Sequence, residues 1–547
     1  MAAEVAAHEA GEAAPESVPD EAVGPLMRGI AVLRALADGG GQEDLQELAH
    51  RTGLARATLD RIIVTLKALG HLHVEGRTAA LAPALMELGN AYLAAVRIPE
   101  LLGPRAHALA EELDEGVTLT VPDRHGAHFV HSAERDRRVG IVCAVGDRLP
   151  LDASAPGALL AATWSPAEWE HHRAHHPCVR GPELAQACTD DLRERAAAAK
   201  ADGWSLDDQW LEAGLIALGL PVHGPDGELV CVVNVVSHIG RYPSAEALAR
   251  SALPAVRSAA ADMERELRTR GPAPALKTGA GPSPDAELTR PGRDFIESLA
   301  RGLSVLTAFG PGRYTLTNAE IAHLTGLPRA TVRRALITLD HLGYITGRDG
   351  LYRPNAAVLT LGYAPLSRLS PAQLAQPHLT ALSRALSDSA SMTVLSGSEI
   401  LYVARAATAR WMTVNATVGG RLPAYATAMG RVLLAGLRPD ERATVLAASS
   451  LDALTPHTVT DTGELLRLVE RAADEGYALV EGELEVGLRS MAVPVRGRDG
   501  RVRAAINVAM HSSRRSVAEC VEQVLPALRA AAAGIERDLG PVASADF

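Results

Sequence analysis

The spacing of apolar residues between positions 317 and 353 changes from a helical period to a strand period. Val332, Leu336, Leu339 and Leu342 recur at steps of three or four, which puts them on one buried stripe of a helix predicted over 329–341. Ahead of it, Thr317 and Glu320 have the T-x-x-E spacing that opens a helix by satisfying free backbone N–H groups. That first helix is predicted to run to about residue 324, with Gly326 providing the tight turn. Beyond the second helix, Tyr344-Ile345-Thr346 and Leu351-Tyr352-Arg353 flank Asp349-Gly350, a hairpin signal. The same order occurs more weakly near the start of the chain. There Asp44 and Glu47 stand at the cap, Gly53 at the turn, and Leu59, Ile62, Leu66 and Leu69 form the stripe. Later in each half the pattern predicts a helix (98–113 and 371–386), then strand pairs at 118–121 with 127–130 and at 391–395 with 399–404. A further pair at 491–495 and 504–509 brackets Asp499-Gly500. Helices mixed with hairpin-joined strands indicate an α+β domain on an antiparallel or mixed sheet.

The two halves are copies. TGLARAT begins at Thr52 and TGLPRAT at Thr325, an offset of 325 − 52 = 273. The same offset carries Arg28-Gly29 onto Arg301-Gly302, Gly146 onto Gly419, Gly214 onto Gly487, Pro221-Val222 onto Pro494-Val495, and Asn234 onto Asn507. A constant register over that length means a tandem duplication with almost no net insertion. The boundaries follow. Residues 1–24 are Ala/Glu/Pro-rich and expected to be disordered. Residues 25–90 and 293–363 are the two winged helix-turn-helix segments. Residues 91–270 and 364–540 are the two larger domains, and 271–292 is a Pro/Gly/Ala-rich linker.

Composition bounds what this architecture does. The 547 residues suit about four domains at the usual size. No apolar run is long enough to span a bilayer, and the acidic, Ala-rich start lacks the basic and apolar regions of a secretory signal, so a cytoplasmic protein without a membrane partner is expected. The five scattered cysteines (Cys143, Cys178, Cys188, Cys231, Cys520) lack CxxC spacing and are expected to be reduced thiols. The formal net charge of -11 argues against nucleic acid when taken alone. A DNA reader, however, needs only a local basic face.

Such a face exists on the second helix of each pair. In copy two its first turn exposes Arg329, Thr331, Arg333 and Arg334; in copy one Arg56, Thr58 and Arg61 remain. Two short helices around a Gly turn, a basic second helix and a hairpin wing match the motif that reads double-stranded DNA in the major groove. A basic run is also the ordinary dress of a solvated helix face. In copy one, Asp60 stands where copy two has Arg333, a negative charge where a phosphate would approach.

At this point the chain resembles the IclR family of bacterial regulators over nearly its full length. Copy two resembles more narrowly the Pca/Pob-type branch, which governs aromatic-acid and β-ketoadipate catabolism. The residues that carry the resemblance are FIESLARGLSVL from Phe295, TGLPRATVRRALITLDHLGY from Thr325, LPAYATAMGRVLLA from Leu422 and ELEVGLRSMAVPV from Glu483. The resemblance implies two winged helices, each followed by a GAF-like α/β effector-binding domain. It also implies an effector pocket at Tyr425, Thr427 and Met429, at Arg489 and Ser490, and at Asn507 and Ala509. Arg489 suits a bidentate grip on a carboxylate, or equally a structural ion pair. Copy one has Ile216 and Ala217 in place of Arg489 and Ser490, and Asp152 in place of Tyr425, so its pocket is read as degenerate.

Other chemistry is weakly signalled. His171, His172, His175, His176 and Cys178 form two i,i+4 histidine pairs, but no carboxylate completes a zinc set; no metal and no cofactor is expected. Without GxSxG, a Walker loop, HExxH or CxxC, the chain is not expected to be an enzyme. The reading is a transcription regulator gated by a small organic acid, aromatic or a ring-cleavage product, bound in copy two. The alternative is a ligand sensor or scaffold that has lost DNA binding and acts through protein partners. Because the linker spans about 25 Å on average, the two copies are expected to pair within one chain, as an intramolecular pseudo-dimer, or to form a homo-oligomer. The helices around 28–36 and 301–309 would be the pairing surface.

Overall fold

The computed structural model describes residues 18–123, 126–135, 143–175, 185–270, 292–407 and 417–542. The stretch before residue 18 and nearly all of the linker therefore lie outside the described residues, as do His176 and Cys178. The chain divides into two compact units, Met1–Leu366 and Ser367–Phe547. The first unit holds both winged helices and the first α+β domain; the second unit is the other α+β domain.

Both winged helices form as their patterns dictate. In copy two the Thr317 hydroxyl accepts from the Glu320 N–H at 3.2 Å, and the Glu320 carboxylate accepts from the Thr317 N–H at 2.7 Å, a complete capping box. The helix Asn318–Thr325 stops at Gly326, whose left-handed backbone (φ 66°) a side chain would strain. The second helix, Arg329–His341, buries Val332, Leu336 and Leu339. The wing strands Ile345–Arg348 and Leu351–Pro354 join through Asp349 and Gly350, both at positive φ as a tight hairpin of matching twist requires. In copy one the corresponding helices are Leu45–Thr52, capped by Asp44 accepting from the Gln46 N–H, and Arg56–Ala68, which has no side-chain cap.

Each α+β domain is a six-stranded, wholly antiparallel sheet. In the second unit the order is Arg421–Pro423, Glu399–Ala406, Ser389–Ser396, Val502–His511, Leu488–Arg496 and Ala478–Glu481. The helix Ala428–Ala435 lies on one face against the central strands, and Pro371–Leu386 with Leu525–Leu539 covers the other. The first unit's sheet has the same order of equivalent strands. Its strand Gly116–Asp123 packs against the segment Ala356–Leu361 of the second winged helix. Among the described residues no helix is long and apolar enough to cross a membrane.

One expectation needs correction. Cys143, Cys231 and Cys520 are free thiols, but Cys188 is disulfide-bonded. Cysteine pairing follows proximity in the fold, which spacing along the chain does not reveal.

Within the first unit the two copies meet in a reciprocal way. The opening helices Gly24–Asp38 and Glu297–Leu306 pack against each other. Gly29 faces Leu299 so closely that a Cβ would sit 2.3 Å from a leucine methyl, and Gly302 faces Leu26 with a corresponding 2.5 Å. Each member of one contact is the other's counterpart at the offset of 273. The Val23 N–H donates to the Thr338 hydroxyl at 2.8 Å, and the Ile296 N–H donates to the Thr65 hydroxyl at 2.9 Å, again exchanged by the same offset. A contact of i with j mirrored by j with i is the signature of a two-fold interface, here made inside one chain.

Candidate functional site: paired recognition helices and an effector cavity

The reciprocal bonds fix the two second helices of the winged motifs. Thr65 and Thr338 are fully buried; each donates to the carbonyl four residues back (Arg61 and Arg334, 2.8 and 2.7 Å) and accepts from the other copy's opening helix. Neither threonine stood out in the sequence, although their matching positions under the repeat were a usable signal. Of the residues expected to touch DNA, Arg56, Arg61, Arg329, Arg333 and Arg334 are exposed, and Thr58 and Thr331 are half-buried. The two copies differ in charge. In copy one, Arg56 donates to Asp60 at 2.9 Å, so the acid that replaces Arg333 also neutralises a neighbouring cation. In copy two, Arg333 is ion-paired with Glu21, and the Arg334 guanidinium donates to the Glu21 carbonyl at 3.3 Å.

In the second unit a small cavity of about 30 Å³ opens between the sheet and the start of the helix Ala428–Ala435. Thr427, Met429, Ser490, Asn507 and Ala509 line it, together with Tyr402, Val480, Leu484 and Leu488. Thr427 caps the helix by accepting from the Gly430 N–H at 3.1 Å. Gly430 has to be glycine, because a Cβ there would lie 2.0 Å from the Ala424 carbonyl oxygen. The amides of Ala428 and Met429 fall in the first turn, where N–H groups have no intrahelical acceptor. Asn507 donates to the Ser490 hydroxyl at 2.9 Å, while its own carbonyl oxygen is buried without a partner. Tyr402 also borders the cavity, and burial pushes its hydroxyl up to about 12.

Two expected residues sit elsewhere. Arg489 and Ser490 are neighbours on the strand Leu488–Arg496, and successive strand residues point to opposite faces. Ser490 therefore meets the cavity and Arg489 turns away. It lies opposite Glu481 on the adjacent strand and holds that carboxylate through two hydrogen bonds, 2.8 and 3.2 Å, while also donating to the Ser512 carbonyl. Of the two roles open to Arg489, the geometry gives the structural ion pair. Tyr425 is buried in the core, its hydroxyl donating to the Asp452 carbonyl at 2.8 Å.

A buried ion pair without a local sequence signal joins the helix to the residue preceding the cavity-lining Leu484. Arg431, on the helix, donates to Glu483 at 2.6 Å, and both side chains are less than a tenth exposed. Glu483 also accepts from the Val459 N–H, and its carbonyl accepts from the Thr458 hydroxyl at 2.6 Å. Glu483 thereby ties the helix, the loop around Thr455–Thr458 and the turn carrying Leu484 into one body. In copy one these positions are Ala158 and Trp210. There Arg195 lies 4.3 Å from the Trp210 ring centre and donates to the carbonyls of Asp152 and Ser154, at 2.5 and 3.4 Å.

Paired winged helices joined to α+β domains, one with a small, largely apolar cavity at a helix N-terminus, are the architecture of a helix-turn-helix transcriptional regulator. Comparison with known proteins agrees. The IclR helix-turn-helix domain matches residues 25–76 and 298–349, and the bacterial transcriptional regulator IclR C-terminal domain matches 90–265 and 364–537. A Pca regulon regulatory protein of Pseudomonas putida is 45% identical over 239 residues, 44% of this chain and 82% of that protein. The p-hydroxybenzoate hydroxylase transcriptional activator of Acinetobacter baylyi is 34% identical over 241 residues, 43% of this chain and 89% of that protein. A solved transcriptional regulator from Rhodococcus is 43% identical, covering 45% of this chain and 99% of that one, with a TM-score of 0.44. The chain belongs to the IclR family of bacterial transcriptional regulators, as a tandem duplication of the family's two-domain unit.

Proposed function

We propose that this protein binds a specific operator through both winged helices of one chain, and that a small organic acid in the second α+β domain controls that binding. The observation that carries the reading is the reciprocal packing of the two copies. It presents two recognition helices in a two-fold arrangement, as palindrome-reading proteins do. Arg329, Arg333 and Arg334 supply the stronger half. Arg56 and Arg61, offset by Asp60, supply the weaker one. A weak half still contributes, because tethering makes its contact intramolecular. Asp60 also favours a second reading for copy one alone, a pairing module that no longer reads bases.

The cavity supports an acid. Free amides at Ala428 and Met429 suit a carboxylate, as helix N-termini do for anions, and Ser490, Asn507 and Tyr402 offer hydrogen bonds to a hydroxyl or a second oxygen. Arg489 is not required. A cavity of about 30 Å³ has room for little more than water, whereas benzene fills one of about 150 Å³. A ring would have to displace the flexible Met429 and the Leu484 and Leu488 side chains. The relationship to an activator of p-hydroxybenzoate hydroxylase makes hydroxybenzoates the first acids to test.

The test is a gel shift against the DNA upstream of the protein's own gene, with and without p-hydroxybenzoate. Arg334→Ala is expected to weaken specific binding about tenfold, the cost of one good base contact, with unchanged thermal stability. Asn507→Ala is expected to reduce the thermal stabilisation that the acid confers. Undiminished DNA affinity in Arg334→Ala would contradict the assignment of the reading helix.

A further inference from the structure

We infer that the acidic segment preceding the first opening helix competes with DNA for the recognition helix of copy two. This rests on the reading of Arg329–His341 as the DNA-contacting helix. Residues 19–23, the described end of this segment, are held in place by their own bonds. The Ala22 N–H closes a turn on the Pro19 carbonyl at 2.9 Å, and the Val23 N–H is anchored on Thr338 at 2.8 Å. Between these two fixed points, Glu21 meets both arginines of the reading face. Its carboxylate pairs with Arg333 and its carbonyl accepts from Arg334. A bidentate grip on a phosphate or a guanine edge would call on the Arg333 and Arg334 nitrogens that Glu21 engages, so DNA and Glu21 draw on the same donors.

The sequence charge fits a competitor. Residues 1–21 contain Glu4, Glu9, Glu12, Glu16, Asp20 and Glu21 and no lysine or arginine. The repeat supplies an internal comparison. At the offset of 273, Pro19–Ala22 corresponds to Gly292–Phe295, where the Phe295 N–H closes the same turn on Gly292. Glu21 becomes Asp294 and its partner Arg333 becomes Asp60. Among the described residues Asp294 has no ion-pair partner, and Arg293 adds a positive charge beside it. The device is thus one-sided. It restrains the stronger reader and leaves the weaker one alone.

The experiment measures operator affinity of the full chain across a salt series for the wild type, Glu21→Gln, Arg333→Ala and the double variant. Glu21→Gln is expected to bind about twofold to fivefold more tightly, the range for release of an exposed ion pair. Its log affinity should fall more steeply with log salt, by up to about one unit of slope, because an arginine freed of its internal partner now displaces a counterion from DNA. In the Arg333→Ala background, Glu21→Gln should give no such gain. Weaker binding by Glu21→Gln would mean that Glu21 orients Arg333 for reading, and would overturn the inference. Unchanged affinity and slope would overturn it too. If Arg333→Ala itself leaves binding untouched, the assignment of the helix has failed, and the inference falls with it; if only Glu21→Gln is silent, that assignment survives.

Discussion

A Glu483→Ala protein is expected to lose about 3–5 kcal/mol of stability in its C-terminal unit, the cost of stranding one charge of a buried pair. Arg431 has one carboxylate partner, at 2.6 Å, and a carbonyl, that of Tyr425, at 3.3 Å. With both side chains out of water, removing the acid leaves a guanidinium that the interior cannot solvate. The loss should appear as early hydrogen exchange in the helix Ala428–Ala435 and the 482–488 turn, since Glu483 joins them, and as a weakened response to acid ligands. Replacing both partners by apolar residues, Arg431→Met with Glu483→Leu, should recover much of the stability. The repeat has already made an apolar substitution at these positions, with Ala158 and Trp210. A Glu483→Ala protein as stable as the wild type would show that the pair is not the tie described.

Gly302→Val is expected to cost about 100-fold in affinity for a full operator while leaving single half-site binding in place. The glycine has no room for a side chain, because a Cβ would stand 2.5 Å from a Leu26 methyl. Overpacking of this kind costs about 1–3 kcal/mol, and the less costly response is for the opening helices to move apart. That movement strains the bonds from Val23 and Ile296 to the two threonines and changes the spacing of the recognition helices. The gain from tethering, typically 10²–10⁴-fold, is lost when geometry forbids simultaneous engagement. Leu26→Ala in the same chain should restore binding by reopening the space. Full-operator affinity that survives Gly302→Val would argue that the copies do not read DNA as a fixed pair.

Elements with strong local patterns were readable in the sequence. The stripe Val332, Leu336, Leu339 and the capping box at Thr317 announced the second winged helix because period and cap act over a few residues. The short helix Met86–Val96 and the turn-rich segment Ala356–Leu361 were missed; both are apolar on several sides, because they are packed between domains. Thr427, Met429, Ser490, Asn507 and Ala509 line one cavity, whereas Arg489 does not reach it. Strand alternation alone separates it from Ser490, and its partner Glu481 lies directly across the strand pair, a contact visible only once the register is known. The long-range contacts between the copies were the least legible. Glu21 with Arg333, Val23 with Thr338 and Ile296 with Thr65 join residues more than 200 positions apart, and no local signal marks them.

On this reading one chain, through two unlike recognition helices held as a pair, binds one operator. Its most direct test is hydroxyl-radical footprinting of the operator combined with the number of chains bound per DNA. The expected result is protection of two half-sites by a single chain over an imperfect palindrome, with the half beneath Arg329, Arg333 and Arg334 better defined than the half beneath Arg56 and Arg61. A strict palindrome that needs two chains, with only the copy-two helices engaged, would contradict it.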